Sequence, residues 1–258
     1  MEIVNDHCGV EREGRGVARL TIRNAGPLNI LGTPVMNAVR AGLEALGADA
    51  ALRAVILAGA SERAFVGGAD INEMATLAPE TAERFITQLR DLCEAVRRCP
   101  VPVIACLRGW CLGGGLELAA ACDLRIASTA AKFGMPEVRL GIPSVIHAAL
   151  LPRLVGWGRA RWLLLTGATI DAAKALDWGL IDRMAAPDRL ESALAETLGH
   201  ILACDSGALR IQKALLRQWE ELSLADSIAV SLPAFRQAFV SGAPQRLMKA
   251  FIDRKRST

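Results

Sequence analysis

The sequence has no CxxC pair, no long uninterrupted apolar run and no marked excess of charge of either sign. Its seven cysteines form an odd count, so we expect reduced, buried thiols in a cytoplasmic protein rather than a disulfide framework or a zinc site. With 30 basic and 27 acidic residues spread along the chain, we expect no nucleic-acid partner.

The longest nearly apolar stretch, residues 101–122, is interrupted by Arg108, Glu117 and several glycines. The first residues also lack a basic region followed by an apolar one. We therefore expect neither a membrane span nor a secretory signal.

What the chain has is enough apolar residues, 52%, to bury a substantial core. Short stretches rich in branched side chains alternate with longer stretches of helical spacing, and this order predicts α and β layers with a largely parallel sheet or stacked βα turns. The predicted strands are 18–22, 52–59, 101–107 and 122–128. The predicted helices are 33–46, 79–98, 145–154, 158–165, 189–203, 207–222, 224–240 and 244–254.

Two of these helices begin with a predicted cap. Thr33 precedes Pro34, and Ser144 precedes the segment 145–154. Strand patterns almost vanish after Ser144, so we expect a core over residues 1–195 and a helical region over residues 196–258.

The most informative stretch is the glycine triplet Gly113, Gly114 and Gly115, followed by a helical pattern with Glu117 in its first turn. Glycines let a ligand lie against bare backbone, and a helix start offers unpaired N–H groups. This arrangement favours a site for a negatively charged oxygen with a carboxylate beside it.

Two other segments can contribute to the same site. Gly67 and Gly68 follow a predicted strand, and Asp70 can cap a short helix over INEM. Glu137 lies between Pro136 and Pro143, in a stiff loop that suits a catalytic carboxyl, although an exposed loop glutamate is the simpler interpretation of that segment alone.

Four motifs carry a resemblance to a known family, the crotonase superfamily, and in particular to its enoyl-CoA hydratases. They are RAFVGGADINEM (63–74), GWCLGGGLELAAACDLRIAS (109–128), AKFGMPEVRLGIP (131–143) and TGATIDAAKALDWGLIDRM (166–184). The resemblance implies an α/β fold, a spiral of ββα turns with a C-terminal helical region that packs trimers, often paired as hexamers. It also implies an acyl-CoA thioester substrate, with CoA as part of the substrate and no separate cofactor or metal.

The resemblance also implies roles for individual residues. The N–H groups of Gly67 and Gly114 are expected to form the oxyanion hole for the thioester carbonyl. Glu117 is expected to deprotonate the water that attacks C3, and Glu137 to protonate C2. The expected CoA contacts are Arg63, Ala64, Phe65, Val66, Ala69, Asp70, Phe251 and Arg254, and the expected acyl pocket is Ile71, Trp110, Pro136, Ser144 and Val145.

One segment departs from the hydratase pattern. Ser144 stands where hydratases have a glycine near the catalytic water, and Val145, Ile146 and His147 replace small residues. We expect a smaller or differently shaped pocket that takes a short or branched acyl group, and a packed rather than catalytic role for His147.

Two other functions are compatible with the same motifs. The chain could be an enoyl-CoA isomerase or catalyse another crotonase-type reaction, or it could bind CoA or a protein without turnover. The pair of glutamates favours hydration, because a binding protein has no need of two acids around the hole.

Overall fold

The computed structural model describes residues 2–256, except for the side chains of residues 2–4 and 256. The chain divides into two compact units between Gly199 and His200. No helix among the described residues is both long and apolar enough to cross a membrane.

Eleven strands and eleven α-helices make up the described chain. The strands are β1 Glu2–Asn5, β2 Cys8–Gly14, β3 Val17–Ile22, β4 Ala54–Gly59, β5 Ala64–Val66, β6 Val103–Leu107, β7 Trp110–Leu112, β8 Leu124–Ser128, β9 Lys132–Gly134, β10 Thr169–Asp171 and β11 Arg183–Ala185. The helices are α1 Thr33–Gly47, α2 Ile71–Met74, α3 Pro79–Arg98, α4 Gly114–Ala121, α5 Leu151–Val155, α6 Trp157–Thr166, α7 Ala172–Asp177, α8 Leu190–Ala203, α9 Ser206–Trp219, α10 Leu224–Ala238 and α11 Ala243–Arg256. Short 3-10 turns cover Pro136–Leu140, Ile146–Leu150, Pro187–Arg189 and Phe239–Ser241.

The first unit contains two sheets. The larger has the order β1-β2-β3-β4-β6-β8-β11, and from β3 to β11 its neighbours are parallel. The smaller has the order β10-β9-β7-β5, in which β9, β7 and β5 are parallel. The predicted α/β architecture with a largely parallel sheet and a helical C-terminal region is confirmed.

A repeating ββα turn connects the sheets. A long strand of the larger sheet, β4, β6 or β8, is followed within a few residues by a short strand of the smaller sheet, β5, β7 or β9. The central strands β4, β6 and β8 of the larger sheet are almost completely buried, as the continuous apolar run in β6 requires. All seven cysteines are free and six are buried, which agrees with the expected reduced thiols.

Both predicted helix caps are wrong. At the start of α1, Thr33 is the first helical residue, and the carboxylate of Glu73 accepts hydrogen bonds from both its N–H (2.8 Å) and its hydroxyl. Residues 145–154 form a 3-10 turn followed by α5 rather than one helix, and the Ser144 hydroxyl donates to Glu137 instead of capping. In both cases the side chain bonds to a glutamate outside the predicted helix and not to an N–H group at the start of that helix.

In the second unit, α9 and α10 begin with side-chain caps. Asp205 accepts from Ala208 N–H (2.9 Å) before α9, and Ser223 accepts from Asp226 N–H (3.2 Å) before α10. The indole of Trp219 donates to the carbonyl of Ser227 (3.0 Å), which joins these two helices.

A buried asparagine holds the loop before α1 against β5. Asn29 has a φ of +49° and is almost fully buried, and its side-chain amide donates to the carbonyls of Ala64 (2.8 Å) and Phe65 (3.1 Å). Asparagine tolerates this left-handed backbone better than most residues do, and its amide satisfies carbonyls that would otherwise be buried without a partner.

We expect Asn29→Ala to lower the free energy of unfolding by about 2 kcal/mol or more, because it leaves buried carbonyls unpaired and places alanine in the left-handed region. Urea denaturation measures the change. Asn24→Ala is the control, since Asn24 has a similar φ of +52° but makes an exposed bond to Asp6. Equal losses in the two variants would contradict the bracing role of Asn29.

Candidate active site

Three loops meet at one edge of the smaller sheet because β5, β7 and β9 are parallel neighbours. Val66 pairs with Cys111, and Leu112 pairs with Gly134, so the strands end level with one another. The loops that follow carry Gly67–Ala69, the glycine triplet and Glu137, which places the predicted motifs side by side. Gly113 N–H donates to the Gly134 carbonyl (2.9 Å) and fixes the glycine turn to β9.

A cavity of about 100 Å³ lies at this edge. It brings together Gly67, Gly68 and Ala69, the start of α4 with Gly113, Gly114 and Glu117, and the segment from Pro136 to Val145. Its apolar walls are formed by Ile71, Met74, Ile86, Leu89, Pro136, Leu140, Ile142, Pro143 and Val145.

Glu117 lies in the first turn of α4 with its side chain 3% exposed. Its Oε1 accepts one hydrogen bond, from the N–H of Ala148 (3.0 Å). Burial raises the pKa of Glu117 to about 8; the Ala148 N–H opposes this rise and the charge of Glu137 adds to it.

Glu137 projects from the 3-10 turn Pro136–Leu140 towards the glycine turn. A Cβ on Gly113 would lie 2.3 Å from Glu137 Oε1, and the φ of Gly113 is +52°, so only glycine fits at this position. The other oxygen, Oε2, accepts from the Ser144 hydroxyl (2.9 Å). Burial raises the pKa of Glu137, while its own main-chain N–H and the Ser144 hydroxyl lower it.

Two carboxyl groups in one apolar cavity do not ionise independently. Of the cavity-lining residues that the structure describes, Glu117 and Glu137 alone carry ionisable side chains, and the charge of Glu137 raises the pKa of Glu117. The pair therefore resists carrying two negative charges at once. Such a pair can supply a proton at one position and accept one at another.

Gly67 does not provide a free donor. Its N–H donates to the Leu28 carbonyl (2.7 Å), which corrects the expectation that it lines an oxyanion hole. The neighbouring β-bridge between Leu31 and Ala69 identifies another residue as the main-chain donor. Leu31 donates to the Gly68 carbonyl (2.9 Å) and accepts from Asp70 N–H (3.1 Å), so Ala69 between them directs its own N–H to the opposite side.

Ala69 lines the cavity, and no hydrogen bond within residues 2–256 uses its N–H. Gly114 supplies a second donor, because it is the first residue of α4 and the first N–H groups of a helix have no partner in the helix. Ala69 was predicted only as a CoA contact; the alternation of main-chain directions beside Leu31 is the feature that identifies it as a donor.

The predicted acyl pocket is assembled except for one residue. Ile71, Pro136, Ser144 and Val145 line the cavity, whereas Trp110 does not. Trp110 starts β7, about 10 Å along the chain from Gly113 at the usual strand rise, and its side chain is exposed.

The predicted CoA contacts at residues 63–66 and 70 fall into three groups. Ala64, Phe65 and Val66 form β5 and have no exposed surface, so their side chains belong to the core and do not reach a ligand. Asp70 caps α2, accepting from Asn72 N–H (2.8 Å) and Glu73 N–H (3.3 Å), as its position before INEM predicted. Arg63 is exposed just before β5, where a CoA contact stays a prediction.

Phe251 and Arg254 belong to the second unit. Both lie on α11, where the ammonium of Lys255 sits 5.0 Å from the centre of the Phe251 ring and Arg254 Nε donates to the Ala250 carbonyl (3.3 Å). Their predicted contact with CoA stays a prediction.

His147 turns away from the cavity. Its Nε2 lies 3.1 Å from Glu94 Oε1 on α3, and burial lowers its pKa. The pair holds the turn that carries the next residue, Ala148, whose N–H binds Glu117. The geometry agrees with a packed histidine rather than a proton carrier in the reaction.

Comparison with known proteins gives a consistent result. The family model described as "Enoyl-CoA hydratase/isomerase" matches residues 12–258. The chain is 38% identical to a probable enoyl-CoA hydratase of Rhizobium meliloti over 96% of this chain and 95% of that protein. It is 34% identical to a short-chain-enoyl-CoA hydratase of Clostridium acetobutylicum, with 96% and 95% covered. The crystal structure of an enoyl-CoA hydratase from Bacillus anthracis superposes with a TM-score of 0.91 at 30% identity, with 96% of each chain covered.

We expect Glu117→Gln to stabilise the protein, and more so at alkaline pH. Because the folded-state pKa is raised from 4.5 to about 8, the wild type loses stability as pH rises through this range and the loss is complete above it. The glutamine variant avoids this loss, which amounts to roughly 5 kcal/mol at most.

Urea denaturation at pH 5 and pH 9 measures the effect. The surface variant Glu11→Gln is the control. A Glu117→Gln variant whose advantage over the wild type is the same at both pH values would show that burial does not hold a proton on Glu117.

Proposed function

Because the chain belongs to the enoyl-CoA hydratase/isomerase family, we propose that it adds water across the 2,3 double bond of a 2-enoyl-CoA thioester and catalyses the reverse reaction. The observation that carries this proposal is the pair Glu117 and Glu137 in one apolar cavity beside two main-chain donors. Hydration needs an acid and a base in the same turnover, and the pair supplies both.

The thioester oxygen binds between the N–H groups of Ala69 and Gly114. As water adds at C3, electrons move from the double bond to this oxygen, and the two donors stabilise the enolate that forms. The positive end of α4, which starts at Gly114, adds to this stabilisation. Loss of one such donor typically costs roughly 3 kcal/mol in the transition state.

The two glutamates then move the protons. In the hydration direction, Glu117 accepts the proton of the attacking water and Glu137 gives a proton to C2. The enolate electrons return to form the new C2–H bond, and the thioester carbonyl is restored. In dehydration each carboxyl does the opposite, so one proton on the pair serves both directions.

The size of the cavity supports a short acyl group. An apolar cavity of roughly 150 Å³ holds benzene, which has six carbons. The cavity beside Glu117 measures about 100 Å³, which matches an acyl chain of about four carbons.

The assembly implied by the family resemblance is a homotrimer or a pair of trimers. Exposed apolar side chains on α10 and α11 support self-association, since isolated chains seldom leave so many in contact with water. They include Leu224, Ile228, Leu232, Phe235, Met248 and Phe251.

We expect the wild type to hydrate crotonyl-CoA, and Glu117→Gln and Glu137→Gln each to lower kcat by about 10²- to 10⁴-fold, because each removes a proton-transfer group. The loss of enoyl-thioester absorbance measures the rate, with Glu11→Gln as a control. Wild-type turnover that neither change affects would sink the mechanism. Absence of turnover with retained CoA binding would favour an isomerase or a binding protein.

The length of the acyl chain of the substrate provides a separate prediction. We expect kcat/KM to be highest for a four-carbon enoyl group and to fall for a ten-carbon one. Ile86→Ala removes a wall of the cavity and should shift the optimum towards longer chains, whereas Leu165→Ala, at an exposed residue of α6, should not. A wild type that prefers the ten-carbon substrate would contradict the short-chain assignment.

A further inference from the structure

Ser144 is a polar residue that lines the cavity and takes no direct part in the proposed proton transfers. Its hydroxyl donates to Glu137 Oε2 (2.9 Å), while the other oxygen of Glu137 faces the glycine turn at Gly113. Both groups are half-buried, which keeps the hydrogen bond out of bulk water. Glu117, by contrast, receives its bond from a main-chain N–H.

The position of Ser144 is fixed by the backbone around it. Pro143 precedes it, and Val145 after it is extended, with a φ of −132°, before the 3-10 turn Ile146–Leu150 begins. The Ser144 hydroxyl therefore does not cap that turn and is turned towards Glu137.

We propose that Ser144 is a positioning residue whose hydroxyl holds Glu137 in its ionised form and leaves the single proton of the pair on Glu117. This is the state that starts dehydration, in which Glu137 accepts the C2 proton and Glu117 protonates the leaving hydroxyl. The inference rests on the proposed function, since it concerns the acid and base of that reaction. The physical basis is that a hydroxyl donor stabilises a carboxylate more than a neutral carboxyl group.

The charged side chains near Glu137 do not donate the hydrogen bonds that stabilise its ionised form. From α4, Glu117 lines the same cavity, and the charge of Glu137 raises the pKa of Glu117. On the same turn as Glu137, Arg139 donates to the Thr166 carbonyl at the end of α6. From the following turn, His147 binds Glu94. Within the described chain, the hydrogen bonds that favour ionised Glu137 come from Ser144 and from its own main chain.

The functional consequence is a wider working range of pH. Two identical carboxyls hold a single proton over a narrow range, and separating their proton affinities widens it. Burial of Glu117 extends this range to alkaline pH, where its pKa is about 8. The Ser144 hydroxyl extends the range to acid pH by lowering the pKa of Glu137.

The pH dependence of kcat/KM for dehydration of 3-hydroxybutyryl-CoA, the reverse reaction, tests the inference, because dehydration starts from ionised Glu137 and protonated Glu117. We expect Ser144→Ala to move the acid limb to higher pH by about one unit and to leave the alkaline limb in place. Ser144→Thr retains the hydroxyl and should keep the acid limb of the wild type. Ser231→Ala is a matched control, because it removes a half-buried hydroxyl that donates to the Ser227 carbonyl on α10.

An unmoved acid limb in Ser144→Ala would overturn the inference, and so would a shift of the alkaline limb, which would place the proton on Glu137. Direct titration of the Glu137 carboxyl needs no turnover, so it distinguishes failure of this inference from failure of the proposed function. In protein labelled with ¹³C at the glutamate carboxyls, the signal lost in Glu137→Gln identifies Glu137. Its titration midpoint should rise in Ser144→Ala and stay unchanged in Ser144→Thr and Ser231→Ala. An unchanged midpoint in Ser144→Ala would overturn the inference even if the wild type proved inactive on crotonyl-CoA.

Discussion

The alignment of β5, β7 and β9 is the constraint on which the site depends. Because these strands are parallel neighbours, three loops far apart in sequence emerge at one edge of the smaller sheet. The glycine turn is bonded to the end of β9 through Gly113, and the same glycine leaves room for the Glu137 carboxyl. A shift of one residue in β7 would move both the start of α4 and the space for Glu137.

Two features of the site lower the stability of the folded protein: a buried acid, and backbone strain in the segment that supports it. Glu117 is buried with one hydrogen bond, and the segment that supplies this bond includes Ile146 at a φ of +41°. A branched residue in the left-handed region typically costs of the order of 1 to 2 kcal/mol. The surrounding contacts, including the pair of His147 and Glu94, hold this conformation in place. Burial of an acid and strain in its support are typical of a site kept for function.

Main-chain groups carry much of the chemistry at this site. The proposed oxygen-binding groups are the N–H groups of Ala69 and Gly114, and the support of Glu117 is the N–H of Ala148. Two carboxyls and one hydroxyl complete the polar lining. This explains why a chain with three histidines and no tyrosine can still form a well-defined acid and base site.

The amino-acid sequence by itself determined the α/β architecture, the helical C-terminal region, the glycine turn and the place of Glu117 beside it, because periodicity and local composition encode these features. The expected pairing of Glu117 with Glu137 came from the family resemblance of the motifs. Tertiary structure decided what depends on distant partners. It paired Gly67 with Leu28 and left Ala69 as the free donor, turned Ser144 from a cap into a partner of Glu137, and moved Trp110 away from the cavity. Direction of an N–H group and choice of a hydrogen-bond partner follow from strand pairing and loop packing, which no local pattern specifies.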